Sequence, residues 1–247
     1  MIGLIQKLLR LKQQKVRPVN LELQDIQGLI ISSYGHLSHT TISLFEIKEP
    51  TKVQGWLEHC IEQGRMTSAL RDQPKVAITS AMNIAFTAAG MRALGASETL
   101  MESFSHEFQQ GMQHVERSRR IGDYQTINDP QHWDDYWHRP IHLMLILQGN
   151  PEELESTKNL IIQEGEASGL SFINHEQGYI PESHQEHFGF TDSISQPTIE
   201  GSPQAYKNKR FDSQITKAGE FILGYINEDG NYPQTPCSYL GRQDQPV

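Results

Sequence analysis

One carboxylate stands among apolar residues in a segment that is typical of a loop. The segment from His187 to Gly201 reads HFGFTDSISQPTIEG, and its glycine, serine and proline residues predict a tight irregular loop. Asp192 lies at its centre, between Phe190 and Ile194. Apolar neighbours disfavour the charged form of a carboxyl group, so we expect a raised pKa and a role in proton transfer. The alternative is structural: an Asp side chain often caps a turn by accepting backbone N–H bonds.

Two other groups of residues could carry chemistry. The run from His184 to His187 (HQEH) places two imidazoles and a carboxylate within four residues, but such a pair without a distant further ligand is more typical of a polar surface than of a metal site. A second concentration of aromatic and imidazole side chains is interpreted as core or surface packing; it comprises His132, Trp133, Trp137, His138 and His142.

The composition excludes several classes of protein. The chain has 247 residues, 21 Lys+Arg against 30 Asp+Glu, and 36% hydrophobic residues, so it can bury a core and its acidity argues against nucleic acid as a partner. No apolar run approaches the ~18–20 residues that cross a bilayer. Two cysteines, Cys60 and Cys237, cannot build a disulfide framework or a cysteine-ligated metal centre. We expect a cytoplasmic protein.

The first seventeen residues form a basic segment. They hold five Lys or Arg residues and no acid, and their apolar residues never form the unbroken stretch of a secretory signal. The pattern predicts a short amphipathic helix that could lie on an anionic membrane surface or bind a partner. The other interpretation is a helix packed on its own domain, or a frayed terminus.

Alternating strands and helices follow. Apolar spacing after Pro50 predicts an amphipathic helix that ends at Gly64, and Asn150-Pro151 predicts the start of another that ends near Gly169. Thr87 to Leu94 and a segment capped by Ser97 predict shorter helices. The predicted strands are His39–Lys48, Val76–Phe86, Ile141–Leu147 and Leu170–His175. The first helix should bury Val53, Trp56, Leu57, Cys60 and Ile61.

The order of these elements predicts the fold. Two β-α-β units are separated by an irregular, polar and partly helical insertion between Gly111 and Pro140. This order is that of the split βαβ, or ferredoxin-like, arrangement. We therefore expect an α+β protein with an antiparallel sheet covered by helices.

Several segments of the chain resemble the dye-decolourising (DyP-type) haem peroxidases. Gly189 to Pro197 (GFTDSISQP) resembles the family's Gly-x-x-Asp-Gly signature and the Ile-Ser-Gln-Pro-like stretch after it, with Ser193 in place of the second glycine. The other matching segments are Asp25–Gly28 (DIQG), Asn83–Gly95 and Gly219–Tyr225 (GEFILGY). The matches occur in the family's order, from about Asp25 to the C-terminus.

The resemblance implies a cofactor and a reaction. Asp192 would be the distal acid–base residue that moves a proton between the two oxygens of peroxide. Ile194, Ser195 and Gln196 would lie along the edge of haem b. Hydrogen peroxide would be reduced while an organic reductant, a dye or a phenol, is oxidised.

The family's iron ligand has no counterpart in this chain. The resemblance places the proximal His and the distal Arg in a second ferredoxin-like half, whereas 247 − 197 = 50 residues follow Pro197 and none is histidine. Cys237 or Tyr239 could ligate iron, and Arg210 or Arg242 could supply charge, without a family-like context. We expect that second half to be missing, and a homo-oligomer or a complementary C-terminal subunit to cover the apolar surface left exposed.

These expectations divide the chain into three parts. Residues 1–20 form the basic amphipathic segment, residues 21–180 the ferredoxin-like domain, and residues 181–247 the distal haem loop with the start of a truncated C-terminal region. The alternative function is a non-catalytic ferredoxin-like module, derived from a peroxidase, that binds another protein.

Overall fold

A computed structural model describes most of the chain. The described residues are 19–32, 34–70, 77–191, 197–207 and 215–236. The basic segment predicted at residues 1–17 lies outside them. Within the described part, no helix combines the length and the apolar character needed to cross a membrane.

Four strands and two long helices form the centre of the molecule, with short elements between and after them. The strands are β1 (His39–Ile47), β2 (Ser80–Phe86), β3 (Leu143–Gly149), β4 (Leu170–Tyr179), β5 (Thr198–Ile199) and β6 (Ile215–Thr216). The α-helices are α1 (Gly28–Ile31), α2 (Pro50–Glu62), α3 (Ala88–Ala93), α4 (Glu98–Glu102), α5 (His106–Gln110), α6 (Val115–Ile121), α7 (Pro151–Ala167) and α8 (Pro203–Lys207). Short 3₁₀ helices span Pro130–His132, Asp135–His138 and Ala218–Glu220.

The main sheet has the order β2-β3-β1-β4, and all neighbouring strands are antiparallel. His39 at the start of β1 is paired with Gly149 on one side and with Tyr179 on the other. Each long helix therefore connects two strands that are parallel but not adjacent, since another strand lies between them. This is the split βαβ topology, and the predicted α+β, ferredoxin-like fold is confirmed.

The core lies between the sheet and the two long helices. Val53, Trp56 and Cys60 of α2 and Leu154 and Ile161 of α7 pack on apolar side chains of the strands. This is the helical spacing that the sequence predicts. Ile61 is the exception: it is 67% exposed, because it lies one position beyond the face that contacts the sheet.

The observed strand ends differ from those predicted, for reasons of hydrogen bonding. Strand β2 begins at Ser80 rather than Val76, which lies outside the described residues. Strand β3 begins at Leu143 because the carbonyls of Ile141 and His142 accept hydrogen bonds from Thr87 instead. Strand β4 continues beyond His175 to Tyr179, since it pairs along the whole length of β1.

The insertion between β2 and β3 consists of short helices with side-chain caps. Thr87 and Ser97 accept N–H bonds at the starts of α3 and α4. The cap at Ser97 was predicted, whereas Thr87 was predicted as the first residue of its helix and is its N-cap instead. Asn150 also occupies the predicted N-cap position, of α7, but its side chain makes no capping bond. The insertion is anchored where Gly90 of α3 lies against the main chain of His142.

The free edge of β2 is covered by two other parts of the chain. Thr67 bonds to Met82 through main-chain and side-chain groups, extending the sheet outward. The Gln27 amide both donates to and accepts from the main chain of Ile84, at 2.8 and 2.7 Å. The Asp-Ile-Gln-Gly segment of the sequence thus binds a sheet edge, a structural role that its residue types alone do not reveal.

Candidate functional site

The predicted catalytic loop lies only partly within the described residues. Asp192, Ile194, Ser195 and Gln196 fall outside them, in the gap between Thr191 and Pro197. The structure does describe the chain on both sides of this gap. The last described residue before the gap is Thr191, and the first one after it is Pro197.

A small hairpin precedes the gap. Gln185 and Thr191 form an antiparallel bridge, and the Glu186 N–H donates to the Phe190 carbonyl at 2.8 Å. Gly189 turns the chain with φ +85°, a conformation that side chains disfavour, and its N–H donates to the Glu186 carbonyl at 2.8 Å. The first glycine of the family-like motif therefore closes the turn of a hairpin whose second strand ends at Thr191, the last described residue before the gap.

A short parallel pair follows the gap. Strand β5 pairs with β6 through Thr198 and Ile199. Ile199 is buried in a small apolar cluster with Leu21 and Ala218. Glu200 accepts a hydrogen bond from the Lys217 ammonium at 2.8 Å. Both ends of the predicted catalytic loop are thus tied to regular structure, at Thr191 and Thr198, with the six residues 192–197 between them.

An open cleft lies beside the hairpin. It has a volume of about 680 Å³ and lies between the end of β4 and the following loop. Its lining residues are Gly35, Gln177, Gly178, Tyr179, Ile180, Pro181, His184, Gln185, Glu186, His187 and Phe188. Phe188 is 88% and Phe190 73% exposed, so these two apolar residues of the predicted loop are exposed, while Ile194 lies outside the described residues.

The histidine pair of the HQEH run lies on the surface. His184 and His187 are both exposed and line the cleft, with Glu186 between them. In the described part of the chain, no group of three or more His, Cys, Asp or Glu side chains is placed to hold a metal ion.

The aromatic and imidazole residues of the insertion are held by packing and hydrogen bonds. The Trp133 indole donates to the Asn128 carbonyl at 3.3 Å, and Trp137 lies 5.0 Å from the ring of Tyr136. The Tyr136 hydroxyl donates to the Glu176 carboxylate, which raises the pKa of Tyr136. The sequence did not indicate this contact, which joins the insertion to β4.

Comparison with known proteins identifies matching relatives. A family model described as the DyP dimeric alpha+beta barrel domain matches residues 25–180. A dye-decolorizing peroxidase of Mycena epipterygia is 32% identical over 125 residues, which is 49% of this chain and 22% of that protein. A dye-decolorizing peroxidase of Exidia glandulosa is 26% identical over 196 residues, 76% of this chain and 36% of that protein.

A solved structure shows the same fold. The decolorizing peroxidase from Auricularia auricula-judae superposes with a TM-score of 0.68 and 25% identity, over 86% of this chain and 45% of that one. The chain thus spans less than half the length of these relatives. The family model covers more than half of the chain. Its match ends at residue 180, directly after the last strand of the main sheet, β4. The chain belongs to the dye-decolourising (DyP-type) peroxidase family.

Proposed function

We propose that this chain supplies the distal half of a DyP-type haem peroxidase, which reduces hydrogen peroxide and oxidises a dye or a phenol. The observation that carries the proposal is the family match over residues 25–180, directly followed by the motif from Gly189 to Pro197. The dye-decolorizing peroxidases that match the chain support the reaction class.

Asp192 is the proposed acid–base residue. Its carboxylate takes a proton from one oxygen of hydrogen peroxide and returns it to the other, which leaves as water. A carboxylate suits this task because it can hold and release a single proton. The hairpin closed by Gly189 and the β5–β6 pair fix the two ends of its loop.

Haem b is the proposed cofactor, and it would supply the iron at which peroxide binds. The cleft beside the hairpin is the proposed surface for this group, since Tyr179, Ile180 and Phe188 are among its lining residues and supply apolar contacts. Ile194, Ser195 and Gln196 are proposed to contact the haem edge. The proximal His and the distal Arg are proposed to come from a C-terminal half, on the same or another polypeptide.

A second function is favoured by the exposed apolar surface after β4. Phe188, Phe190 and Tyr232 are all largely exposed, as expected for side chains that a partner covers. A non-catalytic module that binds another protein would show the same surface. In such a module Asp192 would not transfer protons.

Haem titration and turnover distinguish these functions. The chain is mixed with the C-terminal half of a dye-decolorizing peroxidase, which supplies the proximal His and the distal Arg, and is titrated with haem. Peroxide-dependent oxidation of a phenolic dye is then measured for the wild type, Asp192→Asn and, as a control, the exposed Asp229→Asn. We expect a Soret band in all three proteins and a loss of turnover of about 10²-fold or more only in Asp192→Asn.

Three results would contradict the peroxidase proposal. The first is the absence of a Soret shift at saturating haem. The second is a Soret band without any peroxide-dependent turnover in the wild type. The third is equal turnover in the wild type and in Asp192→Asn.

A further inference from the structure

The two long helices carry an excess of negative charge. Residues 49–65 and 151–167, which contain α2 and α7, hold eight Glu residues against three Lys or Arg residues, a net charge of 3 − 8 = −5. Each cation is paired with one carboxylate, in the pairs Lys52–Glu49, Arg65–Glu164 and Lys158–Glu155. Within the described part of the chain, no cation pairs with the other five carboxylates, all of them exposed: Glu58, Glu62, Glu152, Glu153 and Glu166.

A groove lies between the end of α2 and the first half of α7. It has a volume of about 310 Å³, and its lining combines apolar side chains with the exposed carboxylate of Glu153. The residues that line it from these two helices and their ends are Gly64, Arg65, Glu153, Leu154, Thr157 and Ile161. Ile61 and Leu160 add exposed apolar surface on the same two helices. Apolar groups beside unpaired carboxylates suit a basic amphipathic helix.

The first seventeen residues of this chain are a segment of that kind. They hold five Lys or Arg residues and no acid. In the helix that the sequence predicts, Ile5, Leu8, Lys12 and Lys15 follow at spacings of three, four and three residues and so share one stripe. A helix that lies on a membrane keeps its basic residues on the face opposite its apolar stripe. A stripe that is apolar and then basic fits a protein surface that offers both apolar groups and carboxylates.

The described chain begins near this groove. The Gly28 N–H donates to the Thr67 carbonyl at 2.8 Å, and the Leu70 N–H donates to the Leu23 carbonyl at 3.0 Å. Residues 23–28 therefore run beside the segment that follows Arg65. The six residues from Arg17 to Leu23 can span about 20 Å. A helix over residues 2–16 would be about 22 Å long, more than twice the usual distance of about 8–10 Å between packed helices.

We propose that the basic segment at residues 2–17 docks as a helix in the groove between α2 and α7. Its apolar residues contact the groove, and Lys12 and Lys15 lie beside the carboxylates of Glu62, Glu152 and Glu153. The proposal uses no residue of the cleft after β4 or of the predicted catalytic loop. It and the proposed function can therefore fail separately.

Cleavage by endoproteinase Lys-C tests the docking. This protease can cut after Lys12 and Lys15 when the segment is undocked, so the rate follows the undocked population. Neutralising the three carboxylates should raise the rate at least about fivefold, because several charge pairs are lost together. The combined substitutions are Glu62→Gln, Glu152→Gln and Glu153→Gln. The matched control removes three charges from exposed acids elsewhere, through Glu102→Gln, Asp135→Asn and Glu182→Gln, and should leave the rate unchanged.

Two cleavage results would overturn the proposal. The first is a wild type that is cut after Lys12 and Lys15 as fast as a synthetic peptide of residues 1–17. The second is equal acceleration in the two triple variants. Cleavage after Lys158, which is 5% exposed, reports unfolding of the domain and should stay slow in all three proteins.

Carbodiimide crosslinking of the wild type locates the docking surface without any substitution. The reagent joins a lysine amine directly to a carboxylate, so only groups in contact react. Mass spectrometry should find Lys12 or Lys15 joined to Glu62, Glu152 or Glu153. Crosslinks from these lysines only to acids elsewhere in the chain would overturn the proposal.

An anionic membrane is the competing partner of the basic segment. The wild type is sedimented with vesicles of phosphatidylserine and phosphatidylcholine at about 150 mM salt, where weak surface attraction is largely screened. Because the docked segment is occupied, we expect the protein to stay in solution. Sedimentation of the protein with the vesicles would overturn the docking in favour of the membrane.

Discussion

At the scale of single residues, Gln27 makes a stabilising contribution that its residue type does not reveal. Its half-buried amide makes two hydrogen bonds to the main chain of Ile84 and so takes the place of a neighbouring strand. Gln27→Ala would leave both main-chain groups without partners. We expect it to lower the free energy of unfolding by about 1–3 kcal/mol, measured by urea denaturation.

The control for Gln27 is Gln63, an exposed glutamine just after α2. Gln63→Ala should change the free energy of unfolding by less than about 0.5 kcal/mol. Equal effects of the two substitutions would show that the Gln27 amide is not a structural clamp. Gln27→Glu keeps the acceptor and loses the donor, so its stability should fall between the wild type and Gln27→Ala.

His142 makes stability depend on pH. Burial lowers the pKa of His142, with Lys48 acting in the same direction, and its Nδ1 accepts the Ile47 N–H at 3.0 Å. The unfolded chain therefore binds this proton at a higher pH than the folded chain does. Stability from this residue is complete above the unfolded pKa of about 6.5 and decreases as the pH falls below it.

His142→Asn isolates this effect, because an amide oxygen can accept the same N–H without titrating. Urea denaturation of the wild type should give a smaller free energy of unfolding at pH 5 than at pH 7. That difference should shrink in His142→Asn and persist in a control, His59→Asn on the exposed side of α2. An unchanged pH dependence in His142→Asn would contradict the assignment.

Residue types predicted contacts between distant parts of the chain less completely than they predicted local caps. Ser97 was identifiable as a cap because a local bond to the next turn is encoded by neighbours in sequence. The bonds of Gln27 to Ile84 and of Tyr136 to Glu176 join residues 57 and 40 positions apart. Their partners are set by the topology of the sheet, which spacing along the chain does not record.

At the scale of elements, alanine substitutions at two helical glycines, Gly90 and Gly55, should have opposite effects on stability. A Cβ on Gly90 would lie 1.9 Å from the main-chain oxygen of His142, whereas a Cβ on Gly55 in α2 would meet nothing within 4 Å. Alanine is the better helix former at both positions by about 1 kcal/mol. Only at Gly90 must the helix move away from His142, the residue before β3, to make room for the added methyl group.

Thermal or urea denaturation distinguishes the two glycines. Gly90→Ala should be destabilised by about 1–3 kcal/mol, because overpacking outweighs helix propensity. Gly55→Ala should be stabilised by up to about 1 kcal/mol. A stabilised Gly90→Ala would show that α3 does not pack tightly on the chain before β3.

Periodicity predicted the central elements because each buries one apolar face against a single partner layer. The helical spacing of Val53, Trp56 and Cys60 and the apolar run of β3 both follow from that burial. The last residues of β4, Glu176 to Tyr179, are polar or small, and only the length of β1 makes them a strand. Strand ends that depend on a partner strand are not encoded locally.

At the scale of the whole molecule, one group of exposed apolar side chains lies together beside the cleft. Tyr179, Ile180 and Phe188 line the cleft after β4, and Phe190 follows in the same hairpin. A contiguous apolar patch binds an apolar dye, whereas single exposed apolar side chains do so weakly. Replacing both phenylalanines by serine should therefore reduce the fluorescence of bound anilinonaphthalene sulfonate by about half.

The stability of that variant should hardly change, because the two rings are 88% and 73% exposed and add little to the core. Ile127→Ser is the matched control, since Ile127 is 89% exposed but lies in the insertion rather than beside the cleft. Its dye fluorescence should match the wild type. If Ile127→Ser reduced the fluorescence as much as the double substitution, the dye would be binding to scattered apolar side chains. That result would contradict the proposal that haem or a partner half covers the cleft.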